Sequence, residues 1–178
     1  MSHNTWLHRI ARIGVRPLVN TSVQPNHITT LRLLGGLGAA TAFAFGDPRS
    51  LTIGAALFVV SMLLDRADGD LARLSGKTSR FGHRYDLVSD AVCNALAFVG
   101  LGIGVARQTE LGVWGAILGA AAGAAIVTIL WIVMRVEAKT SERGAEIAGT
   151  AGFDPDDAMV AVPIAVFLGW QQELLFAA

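Results

Sequence analysis

The chain has 178 residues, 53% of them apolar and 16% charged, with 14 basic and 14 acidic side chains and a mean hydropathy of +0.52. Soluble domains carry charge on roughly a quarter of their residues, so the composition argues against a soluble enzyme. Zero net charge without a lysine- or arginine-rich tract leaves no electrostatic footprint for a nucleic acid, and a single cysteine, Cys93, excludes an internal disulfide or a cysteine-based zinc cluster.

Residues 1–27 read as a juxtamembrane segment. No uninterrupted apolar stretch of signal-peptide type occurs between Met1 and Val19. Instead Trp6, Leu7, Ile10, Ile13, Leu18 and Val19 alternate with Arg9, Arg12 and Arg16, the pattern of an amphipathic helix lying on a membrane surface; a frayed basic terminus is the plainer alternative. Five apolar stretches then qualify as candidate spans, since a helix needs about 20 mostly apolar residues to cross the hydrocarbon core. They are Ile28–Phe45, closed by the turn signal Gly46-Asp47-Pro48, then Leu51–Leu64, Asp86–Val105, Leu111–Met134, and the marginal Ala158–Trp170 with Pro163 inside it. A further apolar run from Leu174 to Ala178 suggests either a sixth span lost to truncation or a last helix after Pro155. The expected fold is an all-α polytopic membrane bundle of five to six transmembrane helices over residues 28–178.

Arg9, Arg12 and Arg16 precede the first span, Arg66, Arg73, Lys77, Arg80 and Arg84 lie between the second and third, and Arg135, Lys139 and Arg143 follow the fourth. Only Arg49 and Arg107 fall in the other connections, which places the N-terminus and the long loops in the cytoplasm. Arg32, inside the first span, is expected to face the bundle or snorkel. Trp6, Trp114, Trp131 and Trp170 lie near span ends, as interfacial anchors do. Gly115, Gly119 and Gly123 recur every four residues in the fourth span and let a helix approach closely, either within one subunit or at a dimer seam.

The chemistry concentrates between the second and third spans. Carboxylates near a membrane core are costly and functional by default. Asp65 and Asp68 are three residues apart and Asp86 and Asp90 four apart, so each pair shares a helix face. Four converging carboxylates repel unless cations hold them, and hard oxygen ligands suit Mg²⁺ or Mn²⁺, which also bridge to phosphate. Gly69 permits close backbone approach and Arg73 supplies a planar donor fork for phosphate. Asp70, about 140° around the helix from Asp65, faces away. His83 and Arg84 flank the site within reach of a phosphate, whereas His3, His8 and His27 have no partners at metal-ligand spacing. A solvated acidic loop is the plain alternative to this phosphate site.

Asp65, Asp68, Gly69, Ala72, Arg73, Gly82, Asp86 and Asp90 meet every fixed position of D-x2-D-G-x2-A-R-x8-G-x3-D-x3-D, the signature of the CDP-alcohol phosphatidyltransferase family, which the chain resembles over roughly residues 20 to 135. The segment Pro25-Asn26-His27-Ile28-Thr29 is similar to the family's lead into its first helix. The resemblance implies a membrane transferase of phospholipid synthesis. It would move a phosphatidyl group from CDP-diacylglycerol to the hydroxyl of a small alcohol and release CMP, at the cytoplasmic membrane edge. By the same resemblance Asp65, Asp68, Asp86 and Asp90 would hold Mg²⁺ or Mn²⁺, two ions in all, with Asp90 as general base. Asn26, His27, Ile28, Thr29, Gly69, Ala72, Arg73, Ser79 and Gly82 would contact the CDP-lipid, and the protein would form a homodimer. Direct transfer is expected, because no serine, cysteine or histidine nucleophile stands beside a base in the motif.

The acceptor is less defined. Members that take inositol phosphate carry extra basic residues after the fourth span; here Arg135 and Lys139 remain as candidate anion binders, followed by Asp154, Asp156 and Asp157. Those acids would favour an amino alcohol, yet Asp154 as N-cap before Pro155 is ordinary helix-start chemistry. A carboxylate-lined cation transporter and a catalytically inactive scaffold are the competing classes, although a transporter needs neither Gly69 nor Arg73 at these offsets.

Overall fold

The computed structural model describes residues 13–140 and 159–178. All regular structure among them is helical: residues 13–15 are α-helical and run into a 3-10 turn at Arg16–Leu18, then come α1 (Pro25–Phe45), α2 (Pro48–Ser75), α3 (Arg80–Gln108), α4 (Val113–Thr140), α5 (Ala161–Leu168) and α6 (Gln171–Ala177). The first four are long and apolar enough to cross a membrane. With apolar side chains such as Leu34, Val60, Trp114 and Ile129 directed outward, the chain is an integral membrane helical bundle.

Local chemistry sets each boundary. Pro25 opens α1, where its missing N–H costs nothing, and the Gln24 N–H donates to His27 Nδ1 at 3.3 Å, so His27 acts as a cap. Gly46 ends α1 in the left-handed region at φ 78°, a conformation glycine adopts without strain. Asp47 then caps α2, accepting from the backbone of Arg49 (3.1 Å) and Ser50 (3.0 Å). A hydrogen bond from the Ser50 side chain, followed by those backbone bonds, holds the Asp47 carboxyl below its usual range. Ser79 caps α3 in the same way through the Gly82 N–H at 2.9 Å.

α1 packs against both α2 and α3, and α4 packs against α3. The core between them is built on Phe43, Phe58, Ala97, Phe98 and Leu101. Gly115, Gly119 and Gly123 all serve this intrachain packing: a Cβ on Gly119 would lie 2.8 Å from Gly102 Cα, and one on Gly123 would lie 3.0 Å from the Ala95 carbonyl. Of the two readings of that stripe, contact within one subunit is the one realised.

The fifth expected span differs. α5 has eight residues, about 12 Å of helix, and Gly169 at φ 76° closes it before α6 begins. Neither crosses a bilayer, so four long helices and two short ones replace the expected five to six spans among the described residues. At the other end Val15 packs with Ile28, Ala67 and Leu71, fastening the segment before α1 to the bundle. The rest of the expected amphipathic helix, Trp6, Leu7, Arg9, Ile10 and Arg12 included, lies outside the described residues, as do His3, His8, Arg143, Asp154, Asp156 and Asp157.

Candidate active site

The end of α2 and the start of α3, both packed on α1, bring carboxylates of the two Asp pairs together. Asp65, Asp68 and Asp86 each present an oxygen within 4.8 Å of the others, the scale of a coordination sphere for a hard divalent cation. Asp68 is buried and accepts from Thr29 Oγ1 of α1 at 2.7 Å. Asp90 stands apart from this group of three; its Oδ1 accepts from Arg32 and, at 3.0 Å, from Asn94 Nδ2. Asp70 likewise lies outside the group, buried against Arg73 Nη2 at 2.9 Å.

The residue at the centre is Arg32. Only 2% exposed, its guanidinium reaches Asp65 (Nη1, 2.6 Å), Asp86 (Nη1, 2.8 Å) and Asp90 (Nη2). A planar fork of fixed donors meets several carboxylates at once, and a charge inside a membrane bundle is tolerable only when so compensated. Arg66 Nη1 holds the other oxygen of Asp65 at 2.5 Å. Four carboxylates with two guanidiniums carry a formal charge of minus two, which a divalent cation would balance, so the residues present fit such an ion.

A cavity of about 140 Å³ opens beside the carboxylates. Of the positions expected at a CDP-lipid, Asn26, Thr29, Gly69, Ala72, Arg73, Ser79 and Gly82 line it. His27 instead caps α1, and Ile28 packs into the apolar cluster with Val15. Two glycines make the cavity possible. A Cβ on Gly69 would come within 3.4 Å of Arg73 Nη2, and one on Gly82 would crowd Ser79 Oγ at 3.0 Å and Asn26 Oδ1 at 3.1 Å. Lys77 and His83 also line this cavity. Lys77 Nζ donates to the carbonyls of Thr21 and Val23 at 2.9 and 3.1 Å.

A second, smaller cavity of about 20 Å³, room for one water, is bordered by Arg32 and Asp65. Asp90, Arg66 and Asn94 line it, together with Met159. Arg135 stacks 4.1 Å over the Trp131 ring, and neither it nor Lys139 borders these two cavities.

Sequence reading gave Arg32, Lys77 and Asn94 no role. The available signal for Arg32 was its position three residues after Thr29, which puts both on the face of α1 that meets the carboxylates.

Comparison with known proteins completes the description. A model of the CDP-alcohol phosphatidyltransferase family matches residues 22–177. The chain is similar to the CDP-diacylglycerol–glycerol-3-phosphate 3-phosphatidyltransferase of Cereibacter sphaeroides, 37% identical over 76 residues, 42% of this chain and 34% of that protein. It is similar to the archaetidylinositol phosphate synthase of Pyrococcus horikoshii, 30% identical over 95 residues, 53% of this chain and 48% of that one. The CDP-diacylglycerol–serine O-phosphatidyltransferase of Mycobacterium leprae is 34% identical over 77 residues, 43% of this chain and 25% of its own length. The matches thus span between a quarter and about half of these relatives.

Proposed function

The chain belongs to the CDP-alcohol phosphatidyltransferase family, and we propose that it transfers the phosphatidyl group of CDP-diacylglycerol to the hydroxyl of a small alcohol, releasing CMP. The observation that carries this reading is the convergence of Asp65, Asp68 and Asp86 beside a cavity walled by Arg73, Ser79 and the N-terminus of α1.

Mg²⁺ or Mn²⁺, two ions in all, would be held by Asp65, Asp68 and Asp86 with Asp90 beside them; bound there, they would neutralise the diphosphate and stabilise the departing CMP. Thr29 fixes the Asp68 carboxylate for that task. Arg73, steadied by Asp70, offers its fork to a phosphate oxygen, and the backbone donors at the start of α1 favour negative charge. Asp90 borders the smaller cavity beside that carboxylate group, next to the acceptor's hydroxyl. Its oxygen bonds to phosphorus as the bond to CMP breaks, and its proton passes to Asp90. Arg32 and Asn94 orient that carboxylate.

The site end of the bundle carries Arg66, Arg73, Lys77, Arg80, Arg84, Arg135 and Lys139, and the other end Arg49 and Arg107, which supports a cytoplasmic active site. A homodimer belongs to the same reading, on a face other than the occupied glycine stripe. For the acceptor, relatives named for glycerol 3-phosphate and for serine define the first compounds to offer.

The test is CMP release by purified protein in detergent with CDP-diacylglycerol and Mg²⁺ or Mn²⁺, offering glycerol 3-phosphate, serine, inositol phosphate, inositol, choline and ethanolamine separately. Release with one alcohol supports the reading and names the acceptor. Silence with all of them, without binding of CDP-diacylglycerol, sinks it.

A further inference from the structure

Among the described residues one cross-helix pair is unused by this mechanism and touches its cavity. His83, in the first turns of α3, lines the 140 Å³ space. Its Nε2 lies 3.2 Å from Glu137 Oε1 on α4, 54 residues away. Both are largely buried, His83 at 26% exposed and Glu137 at 16%, and His83 is the partner that the described residues provide for Glu137. Of the other cations bordering the cavity, Arg73, paired with Asp70, already has its phosphate role above, and Lys77 donates to the carbonyls of Thr21 and Val23. His83 differs, because its Nδ1 makes no hydrogen bond among the described residues.

We propose that His83 is a binding residue for the diphosphate of the CDP-lipid and that Glu137 is its positioning residue, orienting the ring from behind. This rests on the transferase reading above. A carboxylate on Nε2 requires that nitrogen to be the donor. A diphosphate has only acceptor oxygens, so contact at Nδ1 makes both nitrogens donors and the ring an imidazolium between two anions. Glu137 thereby fixes which ring nitrogen faces it and aims the other at the cavity, as carboxylates do behind the histidines of metal sites. The pair also joins α4 to the site, which otherwise draws on α1, α2 and α3.

The alternative is a strut that merely fastens α4 to α3. Binding of CDP in the presence of Mn²⁺, measured by calorimetry on the detergent-solubilised full chain, separates the two, with thermal unfolding recorded alongside. H83Q is expected to weaken CDP about tenfold or more, the scale of one charge-assisted hydrogen bond. E137Q keeps an acceptor for Nε2 but not the charge, and is expected to weaken CDP severalfold. The double variant is expected to be no worse than H83Q, because Glu137 acts through His83. Wild-type affinity for CDP in folded H83Q, whatever its unfolding temperature, overturns the proposal, as does an E137Q effect that persists undiminished in the H83Q background. A wild-type chain that neither binds CDP nor releases CMP overturns the transferase reading as well, whereas a wild-type chain that binds and turns over beside an unaffected H83Q overturns this inference alone.

Discussion

Replacing Arg32 by Met removes a side chain that contacts Asp65, Asp86 and Asp90 together. Methionine fills similar volume, so the lost quantity is charge. Breaking a buried ion pair costs about 3–5 kcal/mol, and because Asp65 keeps Arg66 and Asp86 and Asp90 are part-exposed, the lower end of about 3 kcal/mol is expected. For a chain of this size, that corresponds to a fall in unfolding temperature on the order of 10 °C. Arg32→Lys keeps the charge but replaces a fork with a single ammonium, so an intermediate fall is expected. The assay is thermal unfolding in detergent, with chelator and with Mn²⁺. Because a cation that binds the carboxylates stabilises by mass action, Mn²⁺ should recover more of the loss in Arg32→Met than it adds to wild type. Equal unfolding temperatures for Arg32→Met and wild type in chelator would refute the reasoning, for the carboxylates would then need no arginine.

Asp90→Asn should lower CMP release by about a hundred- to ten-thousandfold, the range for losing a general base, while CDP-diacylglycerol binding persists; turnover near wild type would remove Asp90 from the chemistry. Chelation should abolish CMP release and added Mg²⁺ or Mn²⁺ restore it, as followed by nucleotide chromatography. Gly119→Leu forces a side chain into the backbone of α3, where a Cβ alone meets Gly102 Cα at 2.8 Å, and should cost about 1–3 kcal/mol in unfolding experiments. Asp47→Ala should destabilise at neutral pH. Since folding lowers the Asp47 pKa, its contribution is present above the ordinary carboxylate range and lost as the pH falls through the lowered value, so the gap between variant and wild type should close on acidification.

The long helices were legible because hydropathy and turn chemistry are local properties: the apolar run ending at Gly46-Asp47-Pro48 already contains the α1–α2 corner. The Asp65, Asp68 and Asp86 trio was legible from a spaced motif. Its partition from Asp90 was less so, since four residues share a face yet stand about 6 Å apart along the axis, enough to put Asp90 on a different cavity. Hydropathy registers the cost of Arg32 but not its partners, which come from two other helices. The pairing of His83 with Glu137 depends on where α4 crosses α3, set by Gly102, Gly115 and Gly119 through close backbone contact. The apolar stretch Ala158–Trp170 reads as a span by composition, which does not reveal that its helix is only the eight residues Ala161–Leu168.

The contacts of α1 also bear on how the bundle is assembled in the bilayer. In its N-terminal half α1 carries Arg32, and an uncompensated arginine within a span opposes insertion, by up to roughly 2.5–3.5 kcal/mol at the helix centre on insertion scales. At its other end the Ala44 and Phe45 carbonyls are closed by Arg107 (2.7 Å) and Gln108 (3.3 Å) of α3. Both needs are met by α3, which supplies Asp86 and Asp90 at one end and Arg107 and Gln108 at the other. Arg32 therefore gains its full set of counter-charges only when α3 joins α2 against α1, and the carboxylates proposed for the chemistry double as the charge that holds an arginine inside the bundle.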